Sequence, residues 1–184
     1  MDLATVACMS RRAFVSAVVL VLGLLTGCAA HPSPSPTPSP RFTSKADAYK
    51  AAEDTYRAYI NATNHLDLSD PATLENVYRW ATGGARDADK KTLTRYHAEG
   101  VVVSGQIRLS LVEPRSIDGD LSVVMLNVCN DVSSVEIRAS DGTNLVKDTR
   151  SPVQSLAVEL REDDHSPTGF LVSEVLGRKD GPPC

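Results

Sequence analysis

Leu121-Ser122-Val123-Val124-Met125-Leu126-Asn127-Val128-Cys129-Asn130-Asp131-Val132 is the stretch on which the fold turns. Its middle, Val123-Val124-Met125-Leu126, is apolar on both faces of the two-residue strand period. A strand like that is covered from both sides and lies centrally in a sheet. It is expected to run from Leu121 to Ile137, with Asn130-Asp131 bulging or bending it.

Strands are expected on both sides of it. Upstream, Val101 to Val112 is β-branched and alternating, with Val103, Gly105, Ile107, Leu109 and Leu111 on one face, and Pro114 is expected to stop it. Ile117-Asp118-Gly119-Asp120 is the turn between the two. Downstream, Asp141-Gly142 signals a hairpin. Val153 to Arg161 alternates again, Glu162 to Thr168 is a polar turn, and Gly169 to Leu176 is a last strand.

The first half of the folded part has a different period. Ser44 reads as an N-cap with Asp47 three residues on, an acidic variant of the capping box. Ala48, Ala52, Tyr56, Tyr59, Ile60 and Thr63 then recur at helical spacing, with Lys50, Glu53, Asp54, Arg57 and Asn61 opposite them, and the helix fades near Asn64-His65. Asp70-Pro71 starts a second helix, an N-cap acid followed by proline at the first helical position. Leu74, Val77, Tyr78 and Ala81 are its apolar face, and Gly83-Gly84 is expected to end it. A third helix is expected over Asp87 to His97, with Leu93 and Tyr96 inward and Gly100 just past its end. Helices first and antiparallel strands second make an α+β fold, three N-terminal helices packed on a curved antiparallel sheet of about four strands.

Residues 42–184 account for one domain of ordinary size. What precedes them reads as a leader. Met1 to Cys8 holds Asp2 and no base, whereas Met9 is followed by Ser10-Arg11-Arg12 and an apolar run from Ala13 to Leu25, too short for a bilayer-spanning helix. Translation is therefore expected to start at Met9. The run closes on Leu24-Leu25-Thr26-Gly27-Cys28, which resembles the lipobox of bacterial lipoproteins. That resemblance implies a signal peptide over 1–27 and acylation of Cys28, with two or three acyl chains giving stable anchoring. Ala29 to Arg41 alternates proline with small polar residues, and a polyproline II tether of about 35–40 Å is expected there.

Loss of Arg11, Arg12 and Asp2 with the leader takes the 19 bases and 23 acids to 17 and 22, a charge of −5. Without a basic stripe to meet phosphates, no nucleic-acid partner is expected. Once Cys28 is acylated, Cys129 and Cys184 remain. In an exported chain their pairing is the natural expectation, with a redox or metal role as the alternative; there is no CxxC and no histidine near either in sequence.

Three stretches resemble the exported, often lipid-anchored NTF2-like (cystatin-cone) proteins of high-GC Gram-positive bacteria. They are Ala48-Tyr49-Lys50-Ala51-Ala52-Glu53-Asp54-Thr55-Tyr56-Arg57-Ala58-Tyr59, the strand around Val103-Ser104-Gly105, and Leu126-Asn127-Val128-Cys129-Asn130-Asp131-Val132-Ser133. The resemblance implies a cone-shaped pocket between helices and sheet, a strand cysteine paired with one near the C-terminus, and a domain at the outer face of the cell membrane. Enzymes of that superfamily move protons with aspartate, histidine and tyrosine. Tyr56, Tyr78, Trp80, Tyr96, His97, Met125 and Asp131 are the candidates for pocket positions, and His65 is a further conceivable acid–base group, yet none has a matching spacing. Each also has a plainer reading: His65 as a solvated loop residue, His97 as a cation at a helix C-terminus, Asp131 as a capping or bulge hydrogen-bonder, and the aromatics as core. His165 reads as surface. No GxSxG, HExxH, P-loop or dinucleotide turn occurs, and Glu162-Asp163-Asp164 lacks the glycine and spacing of a calcium loop.

No catalytic set, metal or cofactor is therefore expected. The expected role is non-catalytic binding of a small apolar ligand or an envelope protein. An acid–base isomerase, dehydratase or hydrolase is the competing class, and an accessory role beside cell-wall enzymes is a third. The apolar doublets of Leu121 to Val128 would permit a homodimer through the exposed sheet face.

Overall fold

The computed structural model describes residues 41–184. The leader, the Cys28 lipobox and the proline tether lie outside the described residues. The elements are α1 (Lys45–Asn64), α2 (Pro71–Tyr78), α3 (Gly83–Ala98), β1 (Val102–Ser104), β2 (Arg108–Ile117), β3 (Val123–Asp131), β4 (Glu136–Arg138), β5 (Val153–Glu162) and β6 (Phe170–Gly177). The main sheet is antiparallel in the order β2-β3-β5-β6, and β1 pairs with β4 in a small second sheet. This is the expected α+β arrangement, with β3 in an inner position.

Local chemistry starts two helices where it should. The Ser44 hydroxyl accepts from the Asp47 amide at 3.1 Å and donates to its carboxylate at 2.7 Å. Asp70 accepts from the Ala72 amide at 2.9 Å, with Pro71 in the first turn. Between them α1 turns Ala48, Ala52, Tyr56 and Ile60 onto Val124, Leu126 and Val128 of β3, Val158 and Leu160 of β5, and Phe170 and Val172 of β6. Phe42 stacks on Phe170 at 4.9 Å and closes one end of this core. A smaller cluster forms around Leu74, Val77 and Tyr78.

Three expectations are corrected. Gly83-Gly84 opens α3 and does not end α2. After α2 the chain runs along the β6 edge, where the Val172 amide donates to the Trp80 carbonyl at 3.0 Å and the Thr82 amide to the Val172 carbonyl at 2.8 Å. To leave that edge for the helix, Gly83 takes φ +50°, and a Cβ on Gly84 would collide with the Glu174 carboxylate. Pro114 does not stop its strand either. β2 is an edge strand, so a residue without an N–H is tolerated, and Pro114 sits opposite Leu126 between bulges. Finally, the long strands on either side of the first turn are each broken. The break lies at Gly105 (φ +81°, its would-be Cβ against the Ser134 carbonyl) and at Val132–Val135, so that β1–β4 splits away from β2–β3. Ser134 Oγ ties the two breaks together through the Gln106 carbonyl at 2.9 Å.

The other face of the sheet is covered at one end by the C-terminal tail. Cys129 and Cys184 form the disulfide, with Cα atoms 5.6 Å apart. The Arg178 amide donates to Ser155 O at 2.9 Å and its Nε to Leu156 O at 3.1 Å, while Arg115 holds Asp180 bidentately at 2.9 and 3.2 Å.

Candidate functional site

Where α1 diverges from the free edge of the sheet, a groove of about 410 Å³ opens. Ala46, Tyr49, Lys50 and Glu53 form a single stripe of α1 along one wall, Val112 to Pro114 of β2 form the other, and Leu126 is the floor. The lining is mostly apolar. Two of its charged groups, Lys50 and Glu53, belong to ion pairs along α1, with Asp54 at 2.9 Å and with Arg57 at 2.8 Å, and the third, Glu113 of β2, is exposed. The hydrogen bond that Lys50 donates to Asp54 holds its ammonium above the ordinary pKa.

Tyr56 is fully buried beneath α1, its hydroxyl accepting from Asn130 Nδ2 at 2.9 Å. Burial raises its phenol pKa well above the ordinary value, against a smaller opposing effect of that hydrogen bond. Tyr59 donates to both Asp89 oxygens, at 2.9 and 3.1 Å, clipping α1 to α3. Burial raises the Asp89 pKa despite that bond and, with the nearby Asp89 charge, raises Tyr59 as well. This perturbed pair has the residue types of an acid–base couple. Neither member, however, lines any of the grooves described here, so the geometry assigns it to holding two helices together.

The other candidates lie apart from one another. Tyr78 is buried in the smaller cluster with Lys90 Nζ 5.6 Å from its ring centre, and its hydroxyl has no partner among the described residues. Tyr96 is half-buried on α3 under the Arg95 guanidinium, 4.7 Å away. His97 borders a separate groove of about 590 Å³ beside Leu66, Leu68 and Val101 to Val103. Its Nδ1 lies 2.6 Å from the Leu68 carbonyl. A carbonyl only accepts, so Nδ1 is the donor in this contact and the ring is oriented by it. Met125 and Asp131 occupy the face of β3 opposite Tyr56, because Asn130, which reaches Tyr56, fixes the parity of the strand. Asp131 accepts from the Ser133 amide at 2.9 Å, and its Ser133 hydrogen bonds hold the carboxyl below its ordinary pKa; at the end of β3 it caps the turn that follows and sits in no bulge. Trp80 lies in a third groove with His65, whose Nδ1 is 2.8 Å from Asn61 O.

Among the described residues, no two of the candidate acid–base groups line one of these grooves. The groove residues that sequence reasoning missed are Tyr49, Val112 and Leu126. Tyr49 and Val112 fall between the two helical stripes and on an edge strand, where periodicity carries no signal. Among the described residues no group of three or more His, Cys, Asp and Glu side chains is placed to hold a metal, and no helix is long and apolar enough to cross a membrane.

No family model and no curated protein matches this sequence. Several solved structures are similar in chain course. The intermembrane space region of chloroplast protein ARC6 is 16% identical, with a TM-score of 0.49, covering 71% of this chain and 97% of its own. The VirB8 protein of Agrobacterium tumefaciens is 8% identical at TM-score 0.41, covering 79% and 100%. A putative polyketide cyclase of Xanthomonas campestris is 11% identical at TM-score 0.34, covering 69% and 92%. Similarity at this level is one of chain course and says nothing of activity.

Proposed function

We propose that this protein is an extracytoplasmic lipoprotein, held at the outer face of the membrane by acyl chains on Cys28. Its NTF2-like domain binds without catalysing a reaction. The groove between α1 and β2 takes a small apolar ligand or the apolar segment of an envelope protein. The observation that carries this reading is the character of that groove: Tyr49 and Val112 offer apolar surface over the buried Leu126, and its Lys50 and Glu53 are already paired on α1. Convergent polar groups with shifted pKa values are what a proton-transfer site requires. The Cys129–Cys184 disulfide supports export to an oxidising compartment. A homodimer through the sheet would use the end of the outer face around Met125, since the tail covers the end around Cys129.

Two measurements test the proposal. Cys28→Ala is expected to move the protein from the membrane to the soluble extracytoplasmic fraction, and a native product whose mass shows an unmodified Cys28 would overturn the anchor. The mature protein is expected to bind a medium-chain fatty acid, with Tyr49→Glu weakening it at least about tenfold by setting a carboxylate against the apolar chain. Equal binding by the variant would sink the groove.

A further inference from the structure

We infer that the groove between α1 and α2 is a saccharide subsite with Trp80 as its stacking platform. This site is separate from the α1–β2 groove, and the inference does not rest on the proposal above.

The groove measures about 280 Å³, just below the range of about 300–1,000 Å³ usual for ligand sites and enough for one sugar ring. Two helical stripes build it. Ala58, Ala62 and His65 recur along α1 at one-turn spacing, and Asn76, Arg79 and Trp80 recur at the end of α2. The alanines matter because they carry nothing beyond Cβ, so a gap is left beside the indole that any larger aliphatic residue would close. Trp80 is the chain's single tryptophan and is partly buried. Its backbone is locked, the amide donating to Val77 O at 3.1 Å and the carbonyl accepting from Val172 at 3.0 Å. Part of an indole on a fixed backbone is thereby left lining the groove, although indole gains more by burial than other side chains do.

Around the platform stand polar groups without partners. Among the described residues the side chains of Asn61, Asn76 and Arg79 are exposed and make no hydrogen bond or ion pair, which leaves them free to meet a ligand. His65 gives its Nδ1 proton to the Asn61 carbonyl at 2.8 Å, which leaves Nε2 as an acceptor in the neutral ring. Each amide offers donors and an acceptor together, and Arg79 offers a fork of donors. Sugar hydroxyls both donate and accept, and a pyranose has a C–H face that packs on an aromatic ring. An apolar platform ringed by mixed donors and acceptors matches that pattern. An acyl chain would strand the amides unpaired, and the overall charge of −4 opposes a nucleic-acid strand.

Because Trp80 is the single tryptophan, its emission reports this groove alone. The full-length protein in a non-glycosidic detergent would be titrated with glucose, N-acetylglucosamine and glucuronic acid. A saturable change in emission is expected with at least one of them. Asn61→Ala combined with Asn76→Ala, both exposed positions where alanine favours the helix, is expected to weaken it about tenfold or more with an unchanged melting temperature. Ala58→Leu is expected to abolish it. Emission that ignores all three sugars, or a response that persists at full strength in the double variant, would overturn the site. Fatty-acid binding at the α1–β2 groove would be unaffected by either outcome.

Discussion

On the helix side of β3, Val124, Leu126 and Val128 pack against Ala48, Ala52 and Tyr56, whereas on the opposite side Asn127 and Cys129 lie under a tail fastened by a disulfide and the Arg115–Asp180 pair. The inner face is closed by non-directional burial shared among many side chains, so its loss is graded by the volume removed. The outer face is closed largely through one covalent bond, whose existence depends on the redox poise of the compartment. The same strand therefore couples a core that would form anywhere to a cover that survives only under oxidising conditions.

The largest break in this comparison should come from the inner face. Phe170→Ala empties a fully buried position stacked on Phe42, and urea unfolding is expected to show a loss of about 3–5 kcal/mol, the same with or without reductant. Cys184→Ser comes next, at about 2–4 kcal/mol, because the bond closes a 55-residue separation and restrains the unfolded chain. That loss is expected to vanish when wild type and variant are compared in reductant. A reductant-insensitive difference would show that the tail is held by its polar contacts and not by the disulfide. Tyr56→Phe sharpens the contrast within the core. Removing the hydroxyl leaves the buried Asn130 amide, whose Oδ1 already has no partner among the described residues, without its Nδ2 acceptor. A loss of about 1–2 kcal/mol is expected in the same assay.

How much of this was legible depends on the range of the interaction involved. The caps at Ser44 and Asp70 are decided within three residues, and both appear where their local chemistry put them. The Cys129–Cys184 pair followed from counting thiols in an exported chain. Gly83-Gly84 reads equally well as a stop or a start, and the choice is made by the Val172 edge, distant in sequence. Pro114 reads as a terminator until its strand is known to lie at an edge. The site suffered most, because a strand apolar on both faces does not say which face meets the helices. Tyr56 and Met125 were grouped as pocket neighbours although the pleat sends β3 residues 125 and 130 to opposite sides. The rotation of α2 that turns Tyr78 inward and leaves Trp80 in a groove is likewise set by packing and not by period.

The smallest effect should be the one with an unusual sign. Asp89 joins α3 to α1 through the Tyr59 hydroxyl, and burial raises its carboxyl above the ordinary 3.8 even though that hydrogen bond pulls the other way. The native state then binds this proton more readily than the unfolded chain does, so this group's contribution to stability falls as pH rises from 3.8 through the raised native value. Asp131 does the reverse. Its Ser133 hydrogen bonds lower its pKa, and its contribution is complete above the ordinary value and lost on acidification. Asp89→Asn keeps an oxygen to accept from Tyr59 and removes the buried charge. The variant is expected to gain stability over wild type at pH 7, measured as a higher urea midpoint, and the gain should shrink towards pH 4 as wild-type Asp89 becomes protonated. A variant weaker than wild type by the same margin at both pH values would mean that the Tyr59–Asp89 contact owes its strength to geometry the amide cannot reproduce, and that the ionised carboxylate is not the liability its burial implies.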